Sequence, residues 1–144
     1  MDAEDVRRRM KEDFGFLSDS PAAPVLGVLL YGSVVTEEYN ERSDIDLCVV
    51  APAAEDKVAF SRWILAKVRD ERYDVRLFEL MPLHLKMEVV EHGEVLYSRD
   101  IYELYEYFYA TRKLWEDQKH RQMLTEKEAL ELFTQPGSFK KGKR

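Results

Sequence analysis

The sequence predicts an α/β domain (α+β in its element order) built on a small mixed sheet, with helices packed mainly on one face. Three observations carry that prediction. Two short apolar runs, residues 25 to 31 and 44 to 51, are bounded by turn residues, as buried strands are. Residues 73 to 80 alternate apolar and polar with period two. Residues 100 to 119 place Ile101, Leu104, Phe108, Thr111 and Trp115 at heptad-like spacing, as one stripe of a helix does.

Taken in order, residues 4 to 17 read as a first helix in which Arg7, Arg8, Arg9 and Lys11 are interleaved with Glu4, Asp5, Glu12 and Asp13. Interleaved acids mark a solvated helix face rather than a nucleic-acid patch. Ser18-Asp19-Ser20-Pro21 is a loop, and the first strand follows at 25 to 31. The second strand, 44 to 51, is closed by Pro52. A helix is expected from Asp56 to Arg69, with Ala59, Trp63 and Ala66 on one stripe and Phe60, Ile64 and Val68 beside it. In the third strand Val75 and Leu77 point one way while Asp74, Arg76 and Phe78 point the other. Leu83, Leu85, Met87 and Val89 alternate like a strand, yet Pro82 at the start and Gly93 just past the end favour a helix. Val95-Leu96-Tyr97 suggests a short strand. Asp100 serves as N-cap of the helix at 100 to 119. A separate last helix, Glu126 to Phe133, is expected behind Thr125, because Glu128 completes a capping-box pattern. Residues 1 to 134 therefore form one domain, and the basic stretch 135 to 144 a disordered tail.

Composition narrows the class. In 144 residues, 45% hydrophobic and 35% charged content excludes a disordered chain. The net charge of −6 argues against nucleic acid as the primary partner. A single cysteine, Cys48, rules out an intramolecular disulfide and reads as inert core. The start is acidic and no apolar run approaches a membrane span, so a cytoplasmic protein without membrane contact is expected.

Chemistry concentrates in Leu30-Tyr31-Gly32-Ser33, followed after ten residues by Asp44-Ile45-Asp46-Leu47. On a strand Asp44 and Asp46 share a face, and two facing carboxylates are relieved by a cation. Gly32 lets backbone amides approach a phosphate, and Ser33 adds a hydroxyl donor. The combination points to a metal-nucleoside triphosphate. A solvent-facing strand end is the bland alternative for the two acids, and the upstream Gly-Ser turn weighs against it.

This stretch resembles the signature of the nucleotidyltransferase superfamily related to DNA polymerase β: Gly-Ser, a spacer of about ten residues, then Asp-x-Asp. The similarity spans about residues 25 to 110, and the short chain looks like the minimal nucleotidyltransferase branch. The resemblance implies a polymerase β-like fold and a third carboxylate on a neighbouring strand. Asp74 and Glu79 are the candidates, and as they are five apart they face opposite sides of a continuous strand. Asp74, on the polar side, fits the catalytic face; a surface pair with Arg76 is its alternative. Asp44, Asp46 and Asp74 would then be the catalytic residues and the ligands of two Mg²⁺ ions. Gly32, Ser33, Arg42 and Ser43 would contact the nucleotide.

By the same resemblance, the expected activity is transfer of AMP from ATP to a tyrosine hydroxyl of a HEPN-domain ribonuclease toxin, for which the chain would be the antitoxin. One departure matters: at Thr36-Glu37 many relatives carry an arginine and a glycine, and Glu37-Glu38 adds negative charge near the expected phosphates. It supports a second reading, a nucleotidyltransferase-fold antitoxin that neutralises its partner by binding alone. His84, His92 and His120 lack partners at metal-ligand spacing. Tyr102, Tyr105 and Tyr109 line up beside the core stripe of their helix, where core-edge packing and a protein-binding face are equally open readings.

Overall fold

The computed structural model describes residues 3–17, 25–32, 35, 44–68 and 70–134. The elements are α1 (Ala3–Asp13), β1 (Gly27–Tyr31), β2 (Ile45–Val50), α2 (Lys57–Lys67), β3 (Tyr73–Leu77), α3 (Leu83–His92), β4 (Glu94–Ser98) and α4 (Ile101–Thr134). Short 3-10 turns follow α1 and β3. The four strands form one mixed sheet in the order β3-β2-β1-β4. β1 pairs antiparallel with β2 and β4, and β2 pairs parallel with β3. The parallel β2–β3 pair needs a crossover, and α2 supplies it.

Helices cover both faces of the sheet, not mainly one as the sequence suggested. Val28, Leu30, Leu47, Val49, Val75 and Leu77 are buried with Val6 and Met10 of α1 and Phe60 and Ile64 of α2. On the opposite face Leu29, Tyr31, Cys48 and Val50 are buried with Val89 and Val90 of α3 and Leu104 and Phe108 of α4. The cause is visible in β1 and β2: their apolar runs are continuous rather than alternating, so both faces must be covered. Each fully buried leucine contributes on the order of 1.5–3 kcal/mol. α4 passes so close over β1 that a Cβ on Gly27 would lie 3.1 Å from a Leu104 methyl.

Local signals account for most boundaries. Asp56 caps α2 by accepting from the Ala59 amide at 3.0 Å. Pro82 and Gly93 bracket α3. Asp100 caps α4 by accepting from the amides of Tyr102 and Glu103. In α2 the inward stripe is Phe60–Ile64; Ala59 and Ala66 are exposed, and Trp63, 38% exposed, stacks on Phe60 and meets Phe16 edge-on. β3 stops at Leu77, so Phe78 to Leu80 form a 3-10 turn and not the end of the strand. The two helices expected after residue 100 are one helix of 34 residues. Thr125 is no cap: its hydroxyl donates to the Arg121 carbonyl one turn back, a bond made inside a continuing helix. The expected loop at 18–21 and the expected tail at 135–144 lie outside the described residues.

Candidate active site

The sheet places three residues side by side at one end. Tyr31 of β1 is the register partner of Asp46 of β2, and Asp46 is the register partner of Asp74 of β3. Ile45, Leu47 and Val75 fill the α1–α2 core, so strand alternation turns Asp46 and Asp74 to the opposite face. Parallel pairing at this register sets the two carboxylates side by side on neighbouring strands. The start of β2 is fixed by the Ile45 amide, which donates to the Arg72 carbonyl at 2.7 Å. Asp44 lies just before it, exposed at the rim.

Gly32 closes the site on the β1 side. Its φ of 77° is a backbone state that glycine adopts without strain. A Cβ at Gly32 would collide with Oδ2 of Asp46. Glycine is therefore required twice here, by the turn and by the carboxylate leaning on it. The Val35 amide donates to the Gly32 carbonyl at 3.1 Å. Ser33, Arg42 and Ser43, the other expected nucleotide contacts, lie outside the described residues, as do Thr36, Glu37 and Glu38.

Crowding of like charge sets the electrostatics. The Asp46 carboxyl is pushed up to about 6, first by burial and then by the charges of Asp74 and Asp44, with Arg76 opposing. Arg76 lies 3.6 Å from Asp74. The surface pair weighed against a catalytic Asp74 thus exists, but on the same carboxylate that faces Asp46. Tyr31 was not singled out from the sequence, although it directly precedes Gly32. It is buried, and burial together with the nearby Asp46 charge raises its pKa. Glu79 lies away from this cluster. Its two oxygens accept from the Ala51 amide at 3.1 Å and the Tyr107 hydroxyl at 2.8 Å.

Among the described residues no group of three or more acidic, histidine or cysteine side chains is placed to hold a metal ion, so the structure does not draw Asp44, Asp46 and Asp74 together as a three-carboxylate set. Mg²⁺ keeps water and substrate phosphates as ligands and is held by one or two carboxylates. The crowded Asp46–Asp74 pair, with Asp44 at its edge, has the donor chemistry for such an open site.

A carboxylate pair on adjacent strands beside a glycine turn, on a four-stranded mixed sheet, is the arrangement expected of a nucleotidyltransferase of the polymerase β type. The polymerase beta nucleotidyltransferase family model matches residues 18–102. A relative from Methanocaldococcus jannaschii, named as a protein adenylyltransferase, is 41% identical over 97 residues, 67% of this chain and 75% of its own length. This chain belongs to the polymerase beta nucleotidyltransferase family. Its fold also matches a crystal structure of a toxin–antitoxin with AMP-PNP, at TM-score 0.57 and 16% identity over 90% of this chain and 99% of the other. A chain in the structure of a tri-AMPylated Shewanella oneidensis HEPN toxin in complex with MNT antitoxin matches at TM-score 0.58 and 14% identity, over 89% and 98% respectively. No helix among the described residues is long and apolar enough to cross a membrane.

Proposed function

We propose that this chain transfers AMP from ATP to a tyrosine hydroxyl of a HEPN-type ribonuclease and thereby acts as its antitoxin. The observation that carries the reading is the register pairing of Asp46 with Asp74 beside Gly32. The M. jannaschii relative named as a protein adenylyltransferase and the toxin–antitoxin folds support the protein acceptor. In the transfer, the tyrosine oxygen forms a bond to the α-phosphorus, the bond from that phosphorus to the pyrophosphate oxygen breaks, and the tyrosine proton leaves.

Asp74, half-exposed on the edge strand, accepts that proton. Asp44, Asp46 and Asp74 would hold Mg²⁺, which when bound neutralises charge on the triphosphate and the attacking oxygen. Gly32 leaves room for the triphosphate to approach the backbone, and Ser33, Arg42 and Ser43 are assigned to its oxygens. The test is incubation of the chain with labelled ATP, Mg²⁺ and a purified HEPN-domain ribonuclease. Label on a tyrosine of that protein, lost in Asp44→Ala/Asp46→Ala, is the expected result. Full protection from toxicity by that unlabelling double variant would instead establish neutralisation by binding alone.

A further inference from the structure

α4 is about 50 Å long at 34 residues, yet only its first half packs on the sheet. Leu104 and Phe108 are buried, whereas every side chain from Glu116 to Phe133 is exposed. The first half also presents a second face, where Tyr102, Tyr105 and Tyr109 are 80%, 56% and 59% exposed. The core-edge reading of these tyrosines does not hold.

The exposed face has a seven-residue repeat. Positions 102, 109, 116, 123 and 130 are Tyr, Tyr, Glu, Met and Leu; positions 105, 112, 119, 126 and 133 are Tyr, Arg, Lys, Glu and Phe. Its two ends are apolar and its centre is charged. We propose that two copies of this chain associate through α4, antiparallel, about a two-fold axis at the helix midpoint between Asp117 and Gln118.

In that arrangement Tyr102 meets the partner's Phe133 and Tyr105 meets the partner's Leu130, aromatic ring against exposed apolar side chain in each case. At the centre Glu116 meets the partner's Lys119, and symmetry makes that ion pair twice. On the flank Glu106 meets the partner's Lys127, again twice. A parallel pairing of the same face would oppose Glu116 to Glu116 and Lys119 to Lys119, so charge selects the antiparallel one. The pairing also covers the projecting half of each α4 with the tyrosine face of the other. This inference is independent of nucleotide transfer.

Sedimentation of the full chain at micromolar concentration tests it, with circular dichroism as the check on folding. The expected mass is that of two chains. Glu116→Lys opposes lysine to lysine at both central pairs and should raise the dissociation constant by about tenfold or more. Glu116→Lys/Lys119→Glu restores opposite charges and should restore the dimer. Tyr105→Cys mixed with Leu130→Cys should give a disulfide between the two variants and none within either variant alone. A single-chain mass at every concentration, or a dimer indifferent to Glu116→Lys, overturns the proposal. So does a disulfide joining Cys at 105 to itself. A monomer whose Glu116→Lys variant loses its hold on the HEPN protein also overturns it, and assigns the face to that partner.

Discussion

The two ends of the β2–β3 pair treat their acids in opposite ways. At the closed end, Glu79 has both oxygens occupied, by the Ala51 amide and the Tyr107 hydroxyl, and joins the end of β2 to α4. At the open end, Asp46 and Asp74 are set against each other, and the Asp46 carboxyl is pushed up to about 6. One end uses a carboxylate to stabilise the fold. The other holds carboxylates in an arrangement that repels itself until a cation or a proton arrives. On the proposed function, a repulsive pair fixed by strand register is organised in advance for its ligand, at a cost in stability.

The largest break in that comparison should come from Asp46→Asn. It keeps shape and removes the charge that the proposed function assigns to the cation, so transfer should fall by roughly three orders of magnitude or more. The same variant should melt higher than the parent at pH 7 without metal, since the repulsion is removed. A transfer assay and a melting curve on one preparation check both. Next, Gly32→Ala meets a positive φ and the Asp46 oxygen together, and should cost about 1–3 kcal/mol in denaturant unfolding as well as weaken nucleotide binding.

At the closed end, Tyr107→Phe removes a hydrogen bond to a charged acceptor. About 1.5–3 kcal/mol of stability should be lost while transfer below the melting temperature stays within about twofold.

The smallest effect is a pH dependence. The folded pKa of Asp46, about 6, lies above its ordinary value of 3.8, so between those values the folded state binds more protons than the unfolded one. Its contribution to stability therefore falls as pH rises from about 4 to about 6 and is flat above. Partial exposure of the group screens the effect. The fall should vanish in Asp46→Asn and shrink in Mg²⁺, as melting temperatures across that range would show.

Much of this contrast was legible in the sequence. The apolar runs at 25–31 and 44–51 located β1 and β2, and alternation through Val75 and Leu77 put Asp74 on the face of Asp46. Glu79 was excluded from the site by strand parity, whereas the structure excludes it because the strand ends at Leu77 and a 3-10 turn redirects the side chain. Period-two counting cannot sense that turn, as Phe78 fits either geometry. Two-sided coverage of the sheet was present in the unbroken run Val25–Leu30 but was not drawn from it. The division of α4 at Thr125 failed because a capping box requires its first residue to leave the helix, and nothing from His120 to Thr125 breaks one. The Asp74–Arg76 pair and the Asp46–Asp74 pair looked like alternatives in sequence and coexist in space, since an edge-strand carboxylate can face two neighbours.

Asp74→Asn and Glu79→Gln, compared in one transfer assay below both melting temperatures, test the central claim most directly. The two carboxylates lie within six residues of chain, Asp74 in β3 and Glu79 in the 3-10 turn just past its end. Asp74→Asn should be folded, bind Mg-ATP by titration calorimetry and transfer no AMP. Glu79→Gln should melt lower and transfer AMP at close to the parent rate. An active Asp74→Asn beside a folded but inactive Glu79→Gln would contradict the account.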